Sequence, residues 1–158
     1  MKEYSLEIKW GLIFSIMMLL WMFIERSVGL HDDLIAHHAT YTNLIAIPAI
    51  AIYVFALLEK RRGYYQGKMT YWQGFKTGLL ITLAVTILTP LTQWITLSFI
   101  TPQYFENVIA YAVENDKMTL QEANDYFNFK SYMIQSVLGA PIMGVVTSGV
   151  VAAFTVKK

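Results

Sequence analysis

The sequence predicts an all-α membrane protein: a bundle of four transmembrane helices, with an amphipathic helical segment outside the membrane between the third and the fourth. Of the 158 residues, 56% are hydrophobic and 15% are charged, whereas soluble domains carry about 25% charged residues. Four stretches also lack Asp, Glu, Lys and Arg altogether: residues 10–24, 39–58, 77–105 and 131–156. Because a spanning helix needs about 20 mainly apolar residues, these stretches predict four spans in one domain.

The first span is predicted over residues 8–28. Its uncharged stretch is short, so the span is complete only if Glu25 and Arg26 also lie within the membrane. Trp10 is of a type enriched at the membrane interface, and Gly29 suits the left-handed position that follows a helix. The connection to the second span holds five titratable residues: His31, Asp32, Asp33, His37 and His38.

The second span is predicted over residues 39–58, with Asn43 inside it. A short basic segment follows, whose cations are Lys60, Arg61, Arg62 and Lys68. Clusters of this kind control topology and attract anionic lipid headgroups. We therefore assign these four cations to topology control or headgroup contact.

The third span is predicted over residues 74–100, and the pair Thr101–Pro102 ends it. An external amphipathic segment follows over residues 102–130. Its first apolar residues fall on one helical face, and Thr119 with Glu122 has the spacing of a capping box. The fourth span is predicted over residues 132–154.

Basic residues are distributed unequally between the two sides of this arrangement. Nine of the 12 fall on the side of the termini: Lys2, Lys9, Lys60, Arg61, Arg62, Lys68, Lys76, Lys157 and Lys158. Only Arg26, Lys117 and Lys130 fall on the other side. Because cytoplasmic loops carry the excess of Lys and Arg, both termini are predicted to be cytoplasmic.

Two small-and-polar stripes run along the third and fourth spans. The first contains Gly74, Gly78, Thr82, Thr86, Thr89, Gln93 and Thr96, and the second contains Ser136, Ala140, Gly144, Ser148 and Ala152. Small residues let membrane helices approach closely, so the stripes are interpreted as packing surfaces. The alternative is that Thr86, Thr89 and Gln93 line a wet crevice.

The pair Glu25–Arg26 has two interpretations as well. Ionisable residues inside a membrane are costly and commonly functional, which suggests a protonatable gate or a counter-charge for a substrate. The position near the end of the span instead favours an interfacial anchor, in which Glu25 pairs with another helix and Arg26 extends outwards.

We expect no metal or other cofactor. His31 and His37 are six residues apart, which does not place them on one helical face, and no His-Glu metal motif is present. The histidine-containing connection is therefore predicted to be a hydrated acidic loop. A net charge of +1 indicates no nucleic-acid partner.

The chain resembles a bacterial family of small integral membrane proteins, domain-of-unknown-function family 4199. The similarity rests on IYVFALLEKRR at residues 52–62, GKMTYWQGFKTG at 67–78, TPQYF at 101–105 and a glycine-rich last span closed by basic residues. The resemblance implies four spans, a variable external helical insert and a place in the bacterial cytoplasmic (inner) membrane. It implies no reaction, substrate or catalytic residue.

Three functional hypotheses follow. The leading one is a non-enzymatic bundle that lies among membrane lipids and associates with itself, or with another membrane protein, through its small-residue faces. The alternative is a small solute or proton-coupled transporter that uses Glu25 and the polar stripe of the third span. The third, a metal-dependent membrane enzyme built on the histidines, is the least favoured.

Overall fold

The computed structural model describes residues 4–157 and confirms the predicted fold class. Within these residues the only β-pairing is an isolated bridge between Met69 and Lys157. In chain order the α-helices are α1 (Ser5–Ser27), α2 (Ile35–Tyr41), α3 (Ala46–Gly63), α4 (Tyr71–Ile95), α5 (Tyr104–Glu114), α6 (Leu120–Tyr126) and α7 (Phe129–Thr155). Lys2 and Lys158, which contribute to the charge count above, lie outside the described residues.

Four helical segments are long and apolar enough to cross a membrane: Ser5–Ser27, Ile35–Gly63, Tyr71–Ile100 and Phe129–Thr155. The second consists of α2, a 3₁₀ turn (Thr42–Ile45) and α3, and the third consists of α4 and a π-helical turn (Thr96–Ile100). The second span is longer than predicted at both ends. The connection after α1 becomes helical at Ile35, and the first basic residues form the last turn of α3.

The helix α4 is the centre of the bundle, since it packs on α1, α3 and most extensively on α7. The contact with α7 depends on small residues. A Cβ added to Gly78 would lie 2.6 Å from Ser148 Cβ and 3.2 Å from Ser148 Cα. A Cβ added to Gly144 would likewise overlap the side chain of Thr82. The two stripes therefore face each other within one chain.

Apolar side chains from three spans fill the space beside this contact. The buried cluster contains Tyr53, Ala56, Leu57, Met69, Ile81, Val85, Val151 and Ala152. Tyr53 connects this cluster to α4 through a hydrogen bond of 2.8 Å between the hydroxyl groups of Tyr53 and Thr82. Thr82 also donates to the carbonyl of Gly78 at 2.9 Å, so the polar group is satisfied in its apolar surroundings.

The external segment is amphipathic, as predicted. The helix α5 buries Tyr104, Val108 and Ala112 on one face. The helix α6 begins at the predicted capping box, in which the Thr119 hydroxyl accepts from the backbone N–H of Glu122. The backbone N–H and the hydroxyl of Thr119 both donate to the Glu122 carboxylate and lower its pKa.

At the end of the bundle that carries the termini, two ion pairs join α1 to α3. Lys60 lies 2.7 Å from Glu7, and both side chains are almost fully buried, at 6% and 3% exposed. Lys9 lies 2.6 Å from Glu59, and these side chains are 47% and 45% exposed. One pair is thus inside the bundle and the other is on its surface.

The ammonium group of Lys60 is buried against Glu7, so topology control is the part of the prediction that stays open for this residue. Arg61 donates to the carbonyl of Thr155 at 2.8 Å and holds the end of α7. Arg62 and Lys68 are exposed, so contact with headgroups stays a prediction for these two residues.

The two ion pairs provide a matched test of the packing between α1 and α3. We expect Glu7→Gln to lower the free energy of unfolding by about 3–5 kcal/mol, because removing one partner of a buried ion pair is strongly destabilising. Glu59→Gln should cost at most about 1 kcal/mol, since exposed pairs contribute little. Unfolding in detergent, followed by circular dichroism, measures both changes, and equal losses would contradict the placement of Glu7 inside the bundle.

Candidate functional site

A carboxylate and two histidines meet at the opposite end of the bundle, beneath the external segment. The helix α1 ends at Ser27, and Gly29, with φ +84°, reverses the chain. The backbone N–H of Leu30 then donates to the carbonyl of Glu25 at 3.0 Å. This tight return brings His31 back against the last turn of α1. The helix α2 supplies His38 from the other side.

Glu25 is 1% exposed, and each of its carboxylate oxygens has defined neighbours. Oε1 accepts a hydrogen bond of 2.5 Å from Trp21 Nε1, one turn earlier on α1. Oε2 lies 3.2 Å from His31 Nε2 and 3.4 Å from His38 Nε2. The three ligand-type atoms all lie within 4.8 Å of one another. We call these three residues the Glu–His cluster.

The helix α5 covers the Glu–His cluster. The Tyr104 hydroxyl is 3.5 Å from His38 Nδ1 and 3.2 Å from the Tyr132 hydroxyl. The Tyr104 ring packs against both imidazoles, with centroid distances of 5.3 Å. Asn107 donates to the His31 carbonyl at 2.9 Å. Burial, together with the neighbouring Tyr132 hydroxyl, raises the pKa of Tyr104, so this side chain stays a neutral hydrogen-bonding group.

These positions correct one prediction. The hydrated loop is wrong for His31, which is 2% exposed, although His37 does lie on the surface. For the anchor interpretation of Glu25, the structure places the carboxylate beside His38 of another helix, α2, as well as beside Trp21 of its own helix. Arg26 is placed separately and donates to the carbonyl of Ile100 at the end of the third span.

A cavity of about 420 Å³ lies inside the bundle and is lined by residues of all four spans. Most of its wall is apolar and includes Phe14, Met18, Ile50 and Met143. The polar part of the wall consists of Ser15, Asn43, Thr89, Thr92, Gln93, Ser136 and Thr147. Among residues 4–157, no charged side chain lines this cavity. This size is within the range of small-molecule sites, about 300–1,000 Å³.

A second cavity of about 130 Å³ lies between this space and the Glu–His cluster. Its wall includes His31, His38, Thr96 and Tyr104. Gln93 lines both cavities, so one amide group stands between the cluster and the larger space.

The residues predicted to form a wet crevice divide into two groups. Thr89 and Gln93 line the larger cavity, together with Asn43 from the second span. Thr82 and Thr86 are not among its lining residues. The hydroxyls of Thr82, Thr86 and Thr89 each donate to the carbonyl four residues earlier, at 2.9 Å. Glu25 belongs to the Glu–His cluster and does not line the larger cavity.

The spacing of His31 and His37 does not reveal the cluster, because the pair that converges is His31 with His38. His31 lies in a turn, so helical periodicity does not apply to it. The pattern that indicates the cluster is a titratable residue near the end of a span, followed by a glycine turn and then by histidines.

The fold and the site define a four-span membrane protein with an internal cavity and a buried Glu–His cluster at one end. The chain belongs to a family described as "Protein of unknown function (DUF4199)", whose sequence profile matches residues 9–157. No curated protein and no solved structure is measurably similar to it.

Proposed function

We propose that this protein binds a small, uncharged and mainly apolar molecule, with one polar group, in the cavity between its four spans. The transporter hypothesis drawn from the sequence also requires a binding site, which it placed at Glu25 and the polar stripe of the third span. Here the proposed site is the space beside Gln93. The lining supports an uncharged ligand, because an ion would find no counter-charge on the wall.

The observation that carries the proposal is the side chain of Gln93. It is half-buried within the third span, and within residues 4–157 its amide group makes no hydrogen bond to the protein. In a membrane interior, a polar group without a partner is costly. A ligand that offers a hydroxyl or carbonyl group would satisfy this amide.

The polar lining supports one orientation of the ligand. Most polar residues of the wall, including Asn43, Thr92, Gln93 and Ser136, lie on the half of their spans nearer the Glu–His cluster. The deeper part of the wall is mainly apolar, with Phe14, Tyr53 and Val85, and its small polar residues are Ser15 and Thr147. An amphipathic molecule would therefore place its polar group towards the cluster and its apolar part towards the bundle centre.

Association with itself or with another membrane protein stays a prediction, with a different surface from the one first considered. The small-residue stripes are used inside the chain, where Gly78 contacts Ser148 and Gly144 contacts Thr82. They are not free to bind a partner. Any such interface would use the exposed apolar faces of the spans, which also contact lipid.

The cavity proposal is tested by photolabelling the full chain in lipid nanodiscs with a diazirine-bearing alkyl alcohol, an uncharged chain with one hydroxyl group. We expect saturable labelling of the cavity walls, mapped by mass spectrometry. Gly139→Leu should lower apparent affinity by about fivefold or more, because an overfilled site costs about 1–3 kcal/mol. Gln93→Leu should lower it by about three- to tenfold, the equivalent of one hydrogen bond.

The matched control is Gly63→Leu. A Cβ added at Gly139 or at Gly63 meets no atom within 4 Å, so neither backbone position is crowded, but of the two only Gly139 lines the cavity. Labelling spread evenly over lipid-facing residues such as Phe55 and Ile87, and unchanged by Gly139→Leu, would refute the proposal.

We also propose that the protein lies in a bacterial cytoplasmic membrane with both termini in the cytoplasm. The excess of Lys and Arg beside the termini and α3 supports this orientation. The Glu–His cluster and the external segment would then face the other side. The activity of an enzyme reporter fused after Tyr65 should be found inside the cell. Activity found outside the cell would show that the orientation is the reverse of the one proposed.

A further inference from the structure

We propose that Glu25, His31 and His38 form a binding site for a divalent transition-metal ion, and that Zn²⁺ is the ion that fits it. The inference is independent of the cavity ligand, because it rests on different side chains. It replaces the expectation that this protein needs no metal.

The separations between the ligand-type atoms are close to those of a tetrahedral site. Zinc is bound at about 2.0–2.2 Å by imidazole nitrogen and carboxylate oxygen, which places neighbouring ligands about 3.3–3.6 Å apart. Glu25 Oε2 lies 3.2 Å and 3.4 Å from the two Nε2 atoms, and the three atoms all lie within 4.8 Å of one another. Charge-assisted hydrogen bonds are usually shorter, about 2.7–2.9 Å.

The buried charge of Glu25 also supports a bound metal ion. A carboxylate that is 1% exposed must be neutralised. Among residues 4–157, its ion-pair partners are His31 and His38, with no lysine or arginine. Nδ1 of His31 is buried without a hydrogen-bond partner in that part of the chain. The N–H at this position is unsatisfied in either case, but an imidazolium would also bury a positive charge on the ring, whereas an ion bound at Nε2 leaves His31 neutral with its proton on Nδ1.

The surrounding groups hold the ligands in place. Trp21 Nε1 donates to Oε1 of Glu25 at 2.5 Å and leaves Oε2 for the ion. The Tyr104 hydroxyl lies 3.5 Å from Nδ1 of His38, the nitrogen that faces away from Glu25. Partners of this kind fix the orientation of metal ligands. They are positioning residues, because neither would touch the ion.

Space for a fourth ligand is present beside the histidines. The cavity of about 130 Å³ is lined by both imidazoles and by Gln93. A water molecule occupies about 30 Å³, so it would fit. Three protein ligands and one exchangeable position are the arrangement of zinc sites that act on a bound molecule.

The test uses the full chain in detergent, stripped with a chelator, dialysed against zinc sulfate and then washed. We expect about one zinc ion per chain by elemental mass spectrometry, as three protein ligands suffice for tight binding. Cobalt(II) added to the stripped chain should give the intense visible absorption of a tetrahedral site. Less than about one tenth of an ion per chain, or the weak spectrum of octahedral cobalt, would overturn the proposal.

Variants separate this site from adventitious binding. Glu25→Gln and His38→Ala should weaken zinc binding by at least about 100-fold, since loss of even a hydrogen-bond partner of a metal ligand costs about 10–100-fold. His37→Ala is the matched control, because His37 is exposed and adjacent to His38 but lies outside the cluster. It should bind as the unaltered chain does.

Two further results complete the test. If Glu25→Gln fails to fold, His38→Ala and the cobalt spectrum of the unaltered chain decide the question. Zinc binding that survives His38→Ala and is lost in His37→Ala would overturn the assignment, as would binding equal in all variants. Photolabelling of the cavity should persist in stripped protein, so that failure of either proposal can be recognised separately.

Discussion

The close approach of α4 and α7 is the constraint on which the rest of the structure depends. Between helices in lipid there is no hydrophobic driving force, so association requires close packing and hydrogen bonds. Gly78 and Gly144 supply the packing, because a Cβ at either position would overlap Ser148 or Thr82. Thr82 supplies the hydrogen bonds, since it joins the α4 backbone to Tyr53 of α3. One helix thereby organises the other spans.

The same stripe of small residues also creates the cavity. Beyond Gly144 towards the Glu–His cluster, the stripe continues through Ala140 and Ser136, with Gly139 beside them. There the facing atoms are farther away, and a Cβ added to Gly139 would meet nothing within 4 Å. At Gly78 and Gly144 the small residues let two helices pack closely, whereas at Gly139 the space beside the small residue stays unfilled. The binding proposal depends on this second effect.

The fold was predictable because it follows from local composition. Uncharged stretches and capping residues locate the spans and α6, and both need only neighbours in sequence. The buried positions of Lys60 and His31 were not predictable in this way. Lys60 is buried beside Glu7, a carboxylate far away in sequence. His31 is buried because the turn at Gly29 folds the chain back onto Glu25. Neither contact can be predicted from a count of charged residues or from helical spacing.

The most direct test of the central packing uses the absence of cysteine from the chain. In the variant Thr82→Cys with Ser148→Cys, the two sulfurs replace oxygens that lie 3.5 Å apart, close enough to bond after a small adjustment. Mild oxidation in lipid should give a disulfide within one chain, seen as a monomer on a non-reducing gel that has lost two hydrogens by mass spectrometry. Covalent dimers without this internal bond would show that the stripes join separate chains, and would contradict the packing of α4 against α7.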